Sequence, residues 1–254
     1  MTAILEVSDV RKAFGGLQAL DGCSFSVEEG SVMGLIGPNG SGKTTMFNVI
    51  TGYLRPDTGV VRLLGEVVTG QQAGRICGLG LGRTFQLTRV FPRLTLLENI
   101  QVGSHGVGRD RRASLYSPSR CLELLDFVGL TRLANEQAGT LSYGQRKLVE
   151  LTIVLAQQPK VILLDEPAGG INPVLIAQMA SRIRELNATG VTFLVVEHNM
   201  EFVMDICDEV AVMERGAIIA SGAPEQVRRD PRVLDAYLGG SVDLDLRSPV
   251  EEAQ

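Results

Sequence analysis

The chain has 254 residues, of which 44% are hydrophobic and 21% charged, so it can bury the core of a globular protein with one or two domains. This composition excludes chain-wide disorder and a small disulfide scaffold. With 24 Lys and Arg against 29 Asp and Glu, the net charge is −5. No nucleic acid is expected as the main partner, because DNA-binding domains usually carry a basic face.

Targeting and cysteine patterns are those of a cytoplasmic protein. No apolar stretch reaches the roughly 18 residues that suggest a membrane span, and the first residues lack the apolar region of a secretory signal. The cysteines have no metal-ligand spacing, which favours reduced, buried thiols over disulfides or zinc. They are Cys23, Cys77, Cys121 and Cys207.

Short β-prone runs dominate the first third of the chain, at residues 4–10, 23–27, 32–36 and 60–64. Gly, Asp and Pro separate these runs, which is typical of strands joined by turns.

Residues 37–44, which we call the phosphate loop, follow the predicted strand at 32–36 and open a helix-compatible segment. They match G-x-x-x-x-G-K-[ST] with Gly37, Pro38, Asn39, Gly40, Ser41, Gly42, Lys43 and Thr44. Glycines let backbone amides surround phosphate oxygens, the helix N-terminus offers N–H donors, and Lys43 adds a positive charge. The Thr44 hydroxyl suits Mg²⁺, and Thr45 completes the candidate phosphate-binding set. The alternative is a glycine-rich turn without a ligand.

Apolar residues at helical spacing characterise residues 87–158, with predicted helices at 95–102, 119–128 and 142–157. After Pro159, predicted strands and helices alternate, at 161–164, 173–186, 191–196, 200–207 and 210–213. This order predicts a parallel sheet with crossover helices, into which the helical segment is inserted. The acidic, aperiodic residues 241–254 are predicted to form a mobile tail.

Four apolar residues at 161–164 end in two adjacent carboxylates, Asp165 and Glu166. A buried strand would deliver Asp165 to Mg²⁺ at its carboxyl end, and Glu166 would act as the general base for the attacking water. The alternative is that both acids cap the helix after Pro167. Together with the phosphate loop, they predict a P-loop NTPase.

Further motifs indicate which nucleotide-binding family this is. An N-K-x-D guanine-reading sequence is absent, which disfavours a GTPase. Residues 141–145 read L-S-Y-G-Q before a long helical segment, and His198 follows the predicted strand at 191–196. With the phosphate loop, these residues closely resemble the ATP-binding cassette (ABC) family over about residues 4–239. Most members read L-S-G-G-Q, so Tyr143 departs at one position.

The resemblance implies an α/β P-loop NTPase core with a parallel sheet, an N-terminal antiparallel β subdomain and an inserted helical subdomain at about residues 87–158. These would form a single domain of residues 1–240. It also implies a catalytic set of Lys43, Gln86, Glu166 and His198, and a Mg²⁺-binding set of Thr44, Gln86 and Asp165.

Individual roles also follow from the resemblance. Phe14 matches the aromatic residue stacked on adenine, with an ordinary core Phe as the alternative. Gln86 matches the glutamine that contacts Mg²⁺ and the attacking water while sensing the membrane partner, with a solvated loop amide as the alternative. His198 matches the switch histidine that bonds the γ-phosphate, with a structural histidine as the alternative. His105 lacks such a context and is expected in a surface loop.

The signature residues Ser142, Gly144 and Gln145 match those that contact the ATP of the partner subunit. Ser142 is also predicted to cap the following helix, and capping alone is the alternative. The segment around Asn172, with Pro173 in the first helical turn, resembles the cross-subunit contact. In the family, two chains face head to tail and bury two ATP molecules at a twofold interface.

The resemblance also implies partners and a location. These are a second ABC ATPase subunit in a homo- or heterodimer, two separate integral membrane permeases and, indirectly, a substrate-binding protein. The chain would lie on the cytoplasmic face of the inner membrane. Residues 87–100 are predicted to contact the permease through Phe91 and Leu94, with internal packing of the helical segment as the alternative.

Less universal segments resemble the ATPases of branched-chain amino-acid importers, at residues 83–86, 90–95, 97–100, 167–173, 197–200 and 235–239. The predicted function is therefore ATP hydrolysis that powers import of branched-chain or other amino acids. One alternative is an ABC ATPase for another cargo, such as lipopolysaccharide export. The other is a cassette protein acting on DNA or ribosomes, which the single cassette and acidic charge disfavour.

Overall fold

The computed structural model describes residues 2–104 and 113–238. His105 and the predicted tail at 241–254 lie outside the described residues.

The N-terminal part forms an antiparallel sheet with the strand order β2-β1-β4-β5. These strands are β1 (Ala3–Phe14), β2 (Leu17–Glu28), β4 (Thr58–Leu63) and β5 (Glu66–Val67). Three of them overlap β-prone runs seen in the sequence, whereas the two-residue β5 is too short to give a periodic signal.

A second sheet has the order β10-β9-β3-β8-β7-β6. Its strands are β3 (Val32–Ile36), β6 (Leu81–Arg83), β7 (Val161–Asp165), β8 (Thr192–Val196), β9 (Glu209–Glu214) and β10 (Ala217–Gly222). All neighbouring pairs are parallel except β10 with β9. Every residue of β3, β7 and β8 is buried, because both faces of the sheet are covered. The predicted parallel sheet is confirmed, and β6 and β10 extend it.

The helices are α1 (Lys43–Ile50), α2 (Ala73–Gly78), α3 (Leu96–Val102), α4 (Pro118–Phe127), α5 (Tyr143–Leu155), α6 (Pro173–Ala188), α7 (Met200–Ile206), α8 (Pro224–Arg228) and α9 (Pro231–Leu238). Side-chain caps define several N-termini: Thr95 for α3, Ser142 for α5 and Asn172 for α6. The sequence predicted the capped helices to within two residues at each end but not α2, α8 or α9. Across the described ranges, every helix is too short or too polar to span a bilayer.

Two hydrophobic clusters lie on opposite faces of the parallel sheet. Ile162 and Leu164 pack with α3, α4, α5 and α6 in one cluster, whereas Leu163 packs with α1 and the antiparallel sheet in the other. Alternate residues of one strand therefore belong to different clusters. Cys23, Cys121 and Cys207 are buried as predicted, but Cys77 is only half-buried.

Parallel pairing brings the carboxyl ends of β3, β6, β7 and β8 to one edge of the sheet. The phosphate loop follows β3, the segment with Gln86 follows β6, Glu166 follows β7 and His198 lies beyond β8. Loops at this edge form the ligand sites of open α/β folds. The fold therefore assembles sequence-distant candidate residues at a single edge.

Candidate functional site

The phosphate loop leaves β3 through backbone conformations that favour glycine. Gly37 has φ 148° and Gly40 has φ 80°. A Cβ on Gly37 would lie 2.1 Å from the Met213 carbonyl oxygen, whereas one on Gly40 would meet nothing within 4 Å. Gly37 is thus required by the close approach of β9, and Gly40 only by its backbone angle.

The Lys43 ammonium is buried inside the phosphate loop. It donates to the carbonyl oxygens of Gly37 at 2.7 Å and Pro38 at 2.9 Å, and to Ser41 Oγ at 3.4 Å. Burial lowers the pKa of Lys43, and the negative charges of Glu166 and Asp165 act in the opposite direction. A buried cation bonded to neutral oxygens offers its charge to an anion. This arrangement fits the predicted phosphate site.

Thr44 and Thr45 occupy the first turn of α1, directly after Lys43. Thr44 is exposed and Thr45 is half-buried. Because α1 begins at the phosphate loop, its N-terminal amides face the same ligand position as the loop. An exposed Thr44 hydroxyl is available to a metal ion.

Asp165 ends β7 and is buried. Its backbone N–H donates to Thr84 Oγ1 at 3.3 Å, and its Oδ2 accepts a hydrogen bond of 3.3 Å from Arg83 Nη2. Burial raises the pKa of the Asp165 carboxyl, while the Arg83 charge opposes this shift. A buried carboxylate beside a phosphate loop is a suitable ligand for a divalent cation.

Glu166, Gln86 and His198 come together although they are far apart in the sequence. Gln86 Nε2 donates to Glu166 Oε2 at 3.0 Å, and His198 Nδ1 lies 3.9 Å from Glu166 Oε1. Glu166 has φ 50°, and its N–H donates to the Val196 carbonyl at 2.9 Å. The structure therefore groups these three predicted catalytic residues around one carboxylate. The helix that follows Pro167 is capped by Asn172, so the alternative that Asp165 and Glu166 cap it is wrong.

Glu197 is a fully buried carboxylate to which the sequence analysis gave no role. Its Oε1 accepts from the Ala168 N–H at 2.6 Å, and its Oε2 accepts from the N–H groups of His198 at 3.0 Å and Asn199 at 3.2 Å. It thus joins the loop after Glu166 to the turn that carries His198. A glutamate directly at the end of an apolar strand was the sequence signal for it.

Three polar residues on one face of α5 form hydrogen bonds to the loops that carry Gln86 and Glu166. Tyr143 Oη donates to the Gln86 carbonyl at 2.8 Å, Lys147 donates to the Glu166 carbonyl, and Glu150 Oε1 accepts from the N–H groups of Phe85 at 3.2 Å and Arg89 at 3.3 Å. Their i, i+4, i+7 spacing was the signal that could have revealed this face. The Tyr143 bond to Gln86 uses the side chain that departs from L-S-G-G-Q.

The signature residues lie at the N-terminus of α5. Ser142 Oγ accepts from the Gln145 N–H at 3.3 Å and Gln145 Oε1 accepts from the Ser142 N–H at 3.0 Å, which confirms the predicted cap. Gly144 is buried, and a Cβ there would lie 2.4 Å from Leu175 Cδ1. Capping and close packing therefore account for part of this motif within a single chain.

Phe14 ends β1, away from the hydrophobic clusters. Its side chain is 49% exposed, and Lys12 Nζ lies 5.8 Å from the ring centroid. The alternative of an ordinary core residue is therefore wrong for Phe14, and its ring is free to stack on a planar ligand.

A groove of about 240 Å³, which we call the lateral groove, lies beside the site. Tyr53, Phe85, Arg89 and Glu150 contribute to its lining, and the Tyr53 and Phe85 rings meet edge to face at 6.0 Å. Burial raises the pKa of the Glu150 carboxyl to about 7. The groove thus adjoins the segment that carries Gln86.

Comparison with known proteins gives matches over nearly the whole chain. Residues 20–169 match the ABC transporter family, and residues 217–243 match the family of branched-chain amino acid ATP-binding cassette transporters. The chain is 41% identical over 249 residues to the high-affinity branched-chain amino acid transport ATP-binding protein BraF of Pseudomonas aeruginosa. That alignment covers 93% of this chain and 98% of the relative.

Solved structures agree with these matches. The ADP conformation of an ATP-binding cassette of an ABC transporter has a TM-score of 0.85 and 36% identity, and the match covers 94% of this chain and 100% of that chain. A dimeric post-hydrolysis state of another ATP-binding cassette, bound to ADP and Pi, has a TM-score of 0.75 and 25% identity. That match covers 87% of this chain and 98% of the other.

The two loop glycines should respond differently to substitution. Gly37→Ala should lower the free energy of unfolding by about 2–4 kcal/mol, since both overpacking and backbone strain contribute. Gly40→Ala, the matched control, should cost only about 1–2 kcal/mol of strain. Urea unfolding without nucleotide measures both. Equal losses would contradict the close approach of Met213 as the reason for Gly37.

Proposed function

Because this chain belongs to the ABC transporter family, we propose that it is the ATP-hydrolysing subunit of an importer for branched-chain amino acids. The observation that carries the chemical part is the grouping of Gln86, Glu166 and His198 beside the buried Lys43 and Asp165. The observation that carries the cargo is the match of residues 217–243, together with the names of the relatives. The family match and the relatives' names favour import of branched-chain amino acids over the alternative of lipopolysaccharide export.

The chain's own residues fit ATP and Mg²⁺. Lys43 and the amides of the phosphate loop would bind the β- and γ-phosphates, and the exposed Phe14 ring would stack on adenine. Thr44, Asp165 and Gln86 would supply side-chain oxygen ligands for Mg²⁺. Oxygen atoms are the hard ligands that this ion prefers. When bound, the metal neutralises charge on the phosphates during their transfer.

Glu166 is the group we assign as general base. Its carboxylate is only partly exposed. Oε2 accepts a hydrogen bond from Gln86, and Oε1 faces His198. A base held in this way can take a proton from a water placed in line with the terminal phosphate. His198, whose side chain is 62% exposed, is free to contact that phosphate through a ring N–H.

We assign the signature residues Ser142, Gly144 and Gln145 to contact with the ATP that is bound by a partner subunit. Ser142 is exposed at the N-terminus of α5, where a hydroxyl and unpaired amides make a second anion site. Gln145 braces this turn, and Gly144 allows its close packing against α6. One chain thus offers a phosphate loop and a signature that two facing chains can exchange. The second subunit is a copy of this chain or a related ATPase.

Residues 87–100 are the surface we assign to the permeases, next to the lateral groove. Phe91 is 51% exposed and Leu94 is half-buried, so Phe91 is available to a partner. The fully buried Asn99 amide connects this loop to α3, because it accepts from the Phe91 N–H and donates to the carbonyl oxygens of Phe91, Leu94 and Thr95. We place the chain on the cytoplasmic face of the inner membrane with two permeases and, indirectly, a substrate-binding protein.

Glu166→Gln should separate ATP binding from hydrolysis. The amide keeps the size and the hydrogen bonding of the side chain but cannot take a proton, so hydrolysis should fall by about 10²–10⁴-fold, or ~3–5 kcal/mol of barrier. ATP should then hold two chains together as a dimer, detectable by light scattering.

Lys43→Ala is the contrasting variant, because it should lose nucleotide affinity and therefore the ATP-dependent dimer. Near-native hydrolysis by Glu166→Gln would show that another group activates the water.

Hydrolysis by the purified chain should rise more steeply than linearly with protein concentration, because each site needs a signature from a second molecule. A mixture of Lys43→Ala and Ser142→Ala chains should regain activity that neither shows alone, since their mixed dimer contains one complete site. A steady-state phosphate assay measures both effects. Linear dependence throughout the monomeric range, or no recovery on mixing, would contradict the shared site.

Phe91→Ala should weaken association with the permeases by about tenfold, because truncating an interfacial aromatic residue costs roughly 1.4 kcal/mol or more. ATP affinity should stay within about twofold of the parent value. Co-purification of the membrane subunits from detergent extracts measures the association. Leu122→Ala, an exposed apolar residue on α4, is the control and should change neither quantity. Equal effects of the two substitutions would remove the permease assignment.

A further inference from the structure

Arg83, the last residue of β6, carries a buried guanidinium that joins three elements of the site. Its Nη1 donates to Asn48 Oδ1 at 2.7 Å and to Thr51 Oγ1 at 2.9 Å, and its Nη2 donates to Asp165 Oδ2 at 3.3 Å. Asn48 belongs to α1, Thr51 directly follows it and Asp165 ends β7. The side chain thus links the helix of the phosphate loop to the carboxylate at the end of the neighbouring strand.

Aromatic rings surround the same guanidinium. Arg83 Cζ lies 4.9 Å from the centroid of Phe85 and 5.7 Å from those of Phe47 and Tyr53. These cation–π contacts restrain the side chain in a position where it is only 8% exposed. The fork of the guanidinium is therefore held in one orientation by its polar partners and its aromatic neighbours.

A charged side chain is energetically unfavourable at the buried position of Arg83. Because the charged side chain is almost completely removed from solvent, the protein bears a desolvation cost that an apolar side chain of similar volume would avoid. What an apolar side chain cannot do is bond α1 and Asp165 at the same time. The two-sided fork is the property that distinguishes arginine here, since lysine has a single ammonium group.

We propose that Arg83 is a positioning residue that sets Asp165 relative to α1, so that Thr44 and Asp165 can hold one Mg²⁺ between them. Arg83 occupies Oδ2 of Asp165, and Oδ1 is the oxygen we assign to the metal. The inference rests on the proposed role of Thr44 and Asp165 as Mg²⁺ ligands. In this role Arg83 would act through Asp165 and α1 rather than by its own contact with the phosphate or the metal.

The test compares nucleotide binding with and without Mg²⁺. The probe is a fluorescent ATP analogue, titrated into the full chain in EDTA and at increasing Mg²⁺ concentrations. Arg83→Met should bind the analogue in EDTA within about twofold of the parent chain, because the phosphate loop is intact. The Mg²⁺ concentration for half-maximal strengthening should rise by about tenfold. Arg83→Lys keeps the positive charge but can bond only one of the two sides. Its Mg²⁺ concentration for half-maximal strengthening should therefore lie between those of the parent chain and Arg83→Met.

Arg182→Met is the matched control. Arg182 also lies over an aromatic ring, 5.0 Å from the Phe127 centroid, and pairs with the Glu185 carboxylate on α6. Its replacement should leave the Mg²⁺ dependence unchanged. Manganese binding followed by electron paramagnetic resonance, in the presence of ADP, gives a second readout that does not depend on hydrolysis.

Two results would overturn the inference. In the first, Arg83→Met leaves the Mg²⁺ dependence of nucleotide binding unchanged while Asp165→Asn shifts it. This result would rule out the role of Arg83 but would not affect the proposed ATPase site. The other is an equal loss of affinity with and without Mg²⁺ in both Arg83 variants, which would make the role one of general folding. If Asp165→Asn also failed to shift the Mg²⁺ dependence, the assignment of the metal ligands would be wrong instead.

Discussion

Parallel pairing of β6, β7, β8 and β3 is the constraint on which the site depends. In the observed register, Asp165 lies opposite Val196 on β8, and Leu163 lies opposite Arg83 on β6. Glu166 and Glu197 therefore leave neighbouring strands at the same level. A shift of one residue between β7 and β8 would exchange the side chains that pack in the two clusters and would separate the two acids, so the packing on both faces of the sheet sets the relative position of Glu166 and Glu197.

Helix α5 connects the loops at this edge of the sheet to the helical part of the chain. Tyr143, Lys147 and Glu150 bond to backbone groups around Gln86 and Glu166, while the apolar residues of the same helix pack in the cluster beneath the sheet. The helix whose N-terminus we propose to contact a partner subunit is thus hydrogen-bonded to the loops that carry Gln86 and Glu166, the residues proposed to act on water. Any movement of α5 against the sheet must strain or break these bonds, which would give a physical route between the proposed partner contact and the proposed catalytic residues.

Much of the architecture could be predicted because its signals are local. The apolar runs of β3, β7 and β8, the caps Ser142 and Asn172, and the glycines of the phosphate loop each determine a short segment by itself. The resemblance to the ABC family and to branched-chain amino-acid importers is confirmed by matches over most of the chain. Strand β6 was missed because three residues containing a glycine carry no periodic signal, and β10 because its pairing with β9 is decided at the sheet edge.

The sequence by itself determined which chemical groups are present and which local segments carry them. Only the tertiary structure decided which of them meet. Gln86 and Glu166 are 80 residues apart, and Arg83 and Asp165 are 82 apart. Such contacts depend on strand order and register, which come from burying both faces of the sheet at once rather than from any local pattern. That is why the sequence could name Lys43, Asp165 and Glu166, whereas the contacts made by Arg83, Glu197 and the polar face of α5 became visible only in the fold.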